Sequence, residues 1–307
     1  MDQLAAMRGF VKVAEVGSFS KAALVLDVPK PSLTKQIQTL EAHLATKLLN
    51  RTTRRVTVTP DGAAYYERAL RLLSDLDELD GAMAQSQATP KGRLRVDVSP
   101  SLASSIIVPA VPAFHARYPD IQIDLSVTDR PVDLLAENVD CVVRAGTLTD
   151  LSLVARRVGD MQLRTAAAPA YLARHGMPAT PADLERESHR VVGYLNARTG
   201  RTHPFSFYDS SGAEIDILGH HALAVNDGNV YMTAALIGLG VIQVPTFMLN
   251  THLQSGALVP VLGDWAVPSM PLHVVYPPNR HLSNRLRVFV DWISGLFVGP
   301  DFGAPSR

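Results

Sequence analysis

The chain has 307 residues, 47% of them hydrophobic, and its 29 Lys and Arg balance 29 Asp and Glu, leaving no formal net charge at pH 7. That length allows two or three domains with real cores, no apolar run reaches the roughly 18 residues of a membrane span, and a lone cysteine excludes an internal disulfide framework. Asp2 and Arg8 interrupt the pattern of an export signal, so the expected location is the cytoplasm, with no membrane partner.

Leu4, Met7, Phe10, Val11 and Ala14 mark an amphipathic first helix. Ser20 is expected to cap a short second helix that buries Ala23 and Leu26, and Asp27-Val28-Pro29 breaks it. A third helix opens at Lys30-Pro31, with Leu33, Ile37, Leu40 and Leu44 spaced four, three and four apart on one buried face. The opposite face of its first turns carries Ser32, Thr34, Lys35 and Gln36, donors suited to phosphates and base edges in a major groove. Arg51, Arg54 and Arg55 then cluster at a turn before the alternating Val56-Thr57-Val58. Together these read as a winged helix-turn-helix, the helix-turn-helix itself over about 19–38. Residues 1–59 hold nine Lys and Arg against four acids, a surplus of five. Positive charge is thus concentrated where DNA would bind.

After Pro60-Asp61-Gly62 a long helix is predicted to about Gln87. Tyr65, Ala69, Leu72, Leu76, Leu79 and Met83 alternate four- and three-residue steps, the spacing of a coiled-coil seam. Such a stripe packs either on its own domain or on another subunit. The narrow stripe and the acidic surroundings, six acids against two arginines over 60–88, favour a second subunit. Residues 88–92, Ala-Thr-Pro-Lys-Gly, read as a hinge.

From Gly92 strands and helices alternate: strands at 93–98, 121–127, 141–143, 164–168, 191–194, 223–225, 241–244 and 272–276, and helices at 104–117, 133–137, 169–174, 230–238 and 281–297. This grammar implies a parallel sheet with helices on its faces. Ligands of such sheets sit beyond the carboxyl ends of the strands. Pro100 and Ser101, Thr128, Arg144, Tyr194, and Asn226-Asp227 all fall at such ends, and Ser101 opens a helix suited to a carboxylate. Asp129 or Asp140 could instead hold Arg144 in a structural ion pair. Cys141 lies in an apolar strand, where a thiol acts as a small hydrophobe. No metal-ligand spacing, phosphate loop or nucleophile elbow is present, so no metal, cofactor or catalytic residue is expected.

The stretch from Phe19-Ser20 through Ala23, the helix 32–40, Glu41-Ala42-His43-Leu44, residues 48–55 and Thr57 to Gly62 resembles the LysR-type transcriptional regulators. It is closest to the branch with Thr-Thr-Arg in the wing and the segment Asp129-Arg130-Pro131-Val132-Asp133-Leu134. The resemblance implies an α/β chain with a DNA-binding domain (1–59), a dimerising linker helix (60–88) and an effector domain (89–307). Its lobes would cover about 92–160 with 270–297, and about 163–267, like a periplasmic binding protein. It implies contact with double-stranded DNA through Ser20, Lys30, Pro31, Ser32, Thr34, Lys35, Arg51, Arg54 and Arg55. An effector would be bound by Pro100, Ser101, Thr128, Arg144, Tyr194, Asn226 and Asp227, in a homodimer or homotetramer. Asp27 stands where such proteins usually have Gly, and Pro29-Lys30-Pro31 replaces their Ser-Gln pair, so base preference does not carry over. The rival reading is a small-molecule binding protein or enzyme whose N-terminus only dimerises. The location of the charge surplus speaks against it.

Overall fold

The computed structural model describes residues 2–51, 56–83, 90–134, 136–146, 152–197, 199–278 and 282–303, and divides into two units, Met1–Ala88 and Thr89–Arg307.

In the first unit, α1 (Gln3–Val16), α2 (Phe19–Val25) and α3 (Lys30–His43) bury Phe10, Ala22, Leu33, Ile37 and Leu40 in one core. The cap of α2 is Ser18, whose hydroxyl accepts from the Lys21 amide, while Ser20 is an exposed residue inside the helix. The two serines share a local pattern. Ser18 holds the extended backbone a cap requires. Past α2 the chain turns through Asp27 at φ 53°, and the Val28 amide returns to the Ala23 carbonyl at 3.0 Å. The position demands the left-handed region, which glycine enters freely and aspartate tolerates. The departure at Asp27 is therefore conformationally compatible.

Strands β1 (Leu49–Arg51) and β2 (Val56–Val58) pair antiparallel to form the wing. Helix α4 (Pro60–Met83) starts directly behind it. Gly62 is obligatory there, because a Cβ would lie 2.0 Å from the Leu48 carbonyl oxygen. Tyr65 meets Phe10 edge-on at 5.6 Å, and Ala69 and Leu73 are buried in the same core. The start of α4 therefore packs on its own domain. Leu72 faces outward, 51% exposed. The side chains of Leu79 and Met83, and residues 84–89 of the expected helix end and hinge, lie outside the described residues.

The second unit opens with β3 (Gly92–Val98), followed by α5 (Pro100–Leu102), a π-helical turn Ala103–Ile107 and α6 (Val108–Arg117) in one continuous run. Next come β4 (Ile121–Val127), β5 (Cys141–Ala145) and β6 (Val154–Met161). After Gln162 the chain enters a second layer with β7 (Leu163–Ala167), α7 (Pro169–His175), β8 (Gly193–Tyr194), a hairpin of β9 (Phe205–Tyr208) and β10 (Glu214–Ile217), and β11 (Ala224–Val225). The layer continues through α8 (Gly228–Leu236), β12 (Ile242–Pro245), α9 (Thr246–Gln254) and β13 (Val259–Pro260). The chain returns in β14 (Met270–Tyr276), α10 (Asn284–Leu296) and β15 (Phe302–Gly303).

The first lobe is a six-stranded sheet in the order β15-β6-β14-β5-β3-β4, over a core of Leu94, Val96, Val143, Phe114 and Phe289. Only β3, β4 and β5 run parallel; β14 pairs antiparallel with β5 and β6, so the wholly parallel sheet is corrected to a mixed one. The second lobe holds β12-β7-β13, joined by the Val191–Val241 bridge to the parallel pair β8 and β11. Its core gathers Tyr171, Phe207, Tyr231 and Leu249. Where a short helix is expected at 133–137, the described residues Leu134, Ala136 and Glu137 are in turns: the Glu137 amide reaches the Asp133 carbonyl at 2.9 Å, and Asp133 Oδ1 accepts from Ala136. Leu134 and Val139 insert beside Val142 and Val275 in a small satellite core.

Candidate nucleic-acid interface and ligand cleft

Helix α3 buries Leu33, Ile37 and Leu40 completely and leaves Lys30, Pro31, Ser32 and Lys35 exposed at its opposite, leading edge. No acidic residue occupies the first turn and no side chain caps it, so its N–H groups face outward with the positive end of the helix dipole. Thr34 is half-buried and donates its hydroxyl proton back to the Lys30 carbonyl at 2.9 Å, leaving its oxygen free to accept. The wing is tied to this helix by a residue the sequence pattern did not single out. Buried Glu41 accepts from the Leu48 amide at 2.9 Å and the Leu49 amide at 3.1 Å. A carboxylate on the apolar face of a helix, eight residues before a strand, is the signal that marks it. Arg51 lies in β1, its side chain outside the described residues, as are Arg54 and Arg55.

In the second unit the parallel register of β3, β4 and β5 brings three strand ends to one edge. Beyond β3 and β4 lie Ser99 to Ser101 and Thr128, and Arg144 is the last residue but one of β5. From the other lobe β8 and β11, also parallel, deliver Tyr194 and the Asn226-Asp227 pair. The two edges meet: a Cβ placed on Gly228, the first residue of α8, would lie 3.4 Å from Ser101 Oγ. Pro100 is the first residue of α5, and Asn226 is exposed.

The polar groups at this meeting point have distinct tasks. Arg144 donates to the carbonyls of Thr128 and Arg130 and to Asp97, and lies 3.9 Å from Asp129. Its guanidinium is thus engaged by the protein. Asp97 is fully buried, and burial pushes its carboxyl above the usual range, with the Ser126 hydroxyl and Arg144 acting the other way. Thr128 accepts from the Arg130 amide at 3.1 Å, closing a local turn. Asp227 caps α8 by accepting from the Asn229 and Val230 amides, each at 2.9 Å.

Tyr194 rests edge-on against Tyr231, ring centres 5.2 Å apart, and donates its hydroxyl to Asp129 Oδ2 at 3.1 Å. Burial and the Asp129 charge push the Tyr194 hydroxyl far up, so it remains a donor at every physiological pH. Burial raises the Asp129 carboxyl as well. The sequence marks Asp129 as the start of the 129–134 segment and as a partner for Arg144, but does not single out Asp97. An acid inside the apolar run Leu94 to Val98, with an arginine at the end of another strand, is the pattern that reveals such a pair. Cys141 is fully buried in β5, and burial pushes its thiol well up.

Comparison with known proteins matches residues 4–63 to the bacterial regulatory helix-turn-helix protein, lysR family, and residues 87–297 to the LysR substrate binding domain. The uncharacterized HTH-type transcriptional regulator YhjC of Escherichia coli K12 is 41% identical over 96% of this chain and 98% of its own length. An HTH-type transcriptional repressor of Pseudomonas aeruginosa is 40% identical, over 97% of this chain and 93% of its own. Among solved structures, full-length CrgA from Neisseria meningitidis, a LysR-type transcriptional regulator, superposes with a TM-score of 0.59 at 30% identity. That alignment covers 94% of this chain and 97% of CrgA. The full-length virulence activator AphB of Vibrio cholerae gives 0.58 at 28%, covering 94% and 98%.

Proposed function

The chain belongs to the LysR family of transcriptional regulators, and from that membership we propose which of its residues read DNA and which receive the effector. The leading edge of α3 enters the major groove with Lys30, Pro31, Ser32, Thr34 and Lys35, and its open first-turn amides lie against phosphate. The wing arginines 51, 54 and 55 follow the DNA backbone. Ser20, exposed on α2, supports from the phosphate side. The protein works as a homo-oligomer in the cytoplasm, and no catalytic step is assigned to it.

The effector is a small polar or anionic organic molecule bound where the two lobes of the second unit meet. One observation carries this reading: Ser101 and Asp129 from the first lobe converge on Tyr194 and the start of α8 from the second. A molecule seated there touches both lobes and so biases their arrangement, which is the differential contact a switch requires. Pro100, Thr128, Asn226 and Asp227 shape the walls through the turns and caps described above. Arg144 acts by holding the 128–130 turn rather than by offering a whole free charge.

The test pairs a gel shift on the region upstream of its own gene with a thermal-shift screen of small organic acids on the full chain. Ser101→Leu fills the contact between Ser101 and Gly228. It should abolish stabilisation by any hit while leaving DNA binding intact. Full stabilisation of the Leu variant moves the effector out of this cleft.

A further inference from the structure

We propose that Asp129 is an interlobe latch: an internal carboxylate that holds the cleft shut until a carboxylate of the effector takes its place. The proposal rests on the cleft being the effector site. Asp129 is carried by the first lobe, one residue beyond Thr128, yet its close hydrogen-bond donor belongs to the second. Tyr194 donates its hydroxyl at 3.1 Å, and the backbone of Gly228 lies near enough to lower the same carboxyl slightly. Gly228 is the first residue of α8, and the amides of Asn229 and Val230 are already taken by Asp227. Asp129 therefore sits across the cleft beside the start of α8, where α8's own cap leaves the Gly228 amide unclaimed.

The charges around it explain why this contact holds but can be exchanged. Arg144 is 3.9 Å away, and its closer bonds go to Asp97 and two carbonyls; Asp227 adds a like charge on the far side. Asp129 is thus a largely buried carboxylate whose one close donor, the Tyr194 hydroxyl, is neutral. Burial raises its carboxyl, consistent with that cost. When a small organic carboxylate arrives, one anion replaces another against the same hydroxyl, beside the open Gly228 amide, and Asp129 regains its hydration. The charge buried at the site is unchanged, so contacts of the rest of the effector decide the balance. The favoured class is a small monocarboxylic acid whose remainder lies against Tyr194 and the Ser101 side.

Hydrogen-exchange mass spectrometry on the full chain tests this, comparing wild type, Asp129→Ala and Asp129→Asn in sodium acetate and in sodium chloride of equal ionic strength. In Asp129→Ala, peptides spanning 192–195 and 226–231 should exchange about tenfold faster than wild type. Acetate should restore their protection while chloride does not. Wild type should not respond, since its tethered carboxylate has the higher effective concentration. Asp129→Asn keeps the shape, should loosen the same peptides less, and should ignore acetate because the amide fills the site; it carries the test if the alanine variant does not fold. Unchanged exchange in both variants overturns the latch. So does equal acetate protection of wild type and Asp129→Ala, or loosening of Asp129→Ala that acetate leaves untouched. None of these outcomes bears on whether an effector binds in the cleft, which the Ser101→Leu screen decides separately.

Discussion

At the scale of single residues, the sharpest energetic statement concerns Asp97 and Arg144. A fully buried carboxylate is tolerable only while a cation and hydrogen bonds compensate it. Here the cation also anchors the carbonyls of Thr128 and Arg130, so one guanidinium fixes three strand ends. Arg144→Met should cost about 3–5 kcal/mol in urea denaturation, because it leaves the Asp97 charge buried and uncompensated. Arg144→Lys should recover only part of that, since an ammonium cannot span the same fork of acceptors. Lys35 is the opposite case, an exposed side chain with no role in the core. Lys35→Ala should weaken specific operator binding roughly ten- to hundredfold in a gel shift, with an unaltered melting temperature. Wild-type affinity at moderate salt would remove Lys35 from the interface.

At the scale of elements, the wing depends on α3 through Glu41. The two amides that Glu41 accepts from, Leu48 and Leu49, lead into β1 and are buried. Glu41→Ala leaves both without an acceptor, and should cost about 1–3 kcal/mol while weakening DNA binding through a displaced wing. Glu41→Gln keeps one carbonyl oxygen and should do less. Urea denaturation and a gel shift separate the two effects. This dependence also shows what the sequence could and could not disclose. The third helix was legible because Leu33, Ile37, Leu40 and Leu44 repeat without competition from any other period. Strand β6 was not, because Arg156 and Arg157 break its alternation, and both are exposed beside an antiparallel neighbour that no local pattern foretells. In the cleft, strand ends were readable from chain order. The Asp129–Tyr194 contact was not, because it joins two lobes 65 residues apart in sequence.

At the scale of the whole molecule, two faces of α4 point in different directions. Ala69 and Leu73 complete the core of their own domain, while Leu72 is half exposed and continues the apolar seam toward Leu76. We expect that outer seam to meet a second subunit. Leu72→Asp should therefore shift light scattering toward smaller assemblies without unfolding the domain, because the side chain it replaces is not part of the domain core. Assemblies of wild-type size would place the dimer contact elsewhere.

The pH dependence of stability in the Thr89–Arg307 unit follows from two histidines, one in each lobe. Burial holds His189 below its ordinary value, with Asp183 opposing and His175 and Arg186 adding to the depression. Its Nδ1 lies 3.3 Å from the Tyr171 hydroxyl. Burial, reinforced by Arg157, does the same to His273 on β14, against Asp160 and a Gly146 backbone contact. Above the ordinary histidine value of about 6.5 both are neutral whether the chain is folded or not, and their contribution is fully present. As pH falls below it, the unfolded chain takes up protons that the folded chain refuses, so stability is lost until the depressed folded values are reached. Asp97 and Asp129, raised by burial, act in the opposite sense, but their window opens upward from the ordinary carboxylate range near 4. Both tryptophans, Trp265 and Trp292, lie in this unit, so their fluorescence reports its melting alone. The melting temperature should drop between pH 7 and pH 5, and the drop should be smaller in His189→Gln, and smaller again when His273→Gln is added. An unchanged slope in the double variant would mean that neither imidazole is kept neutral by the fold.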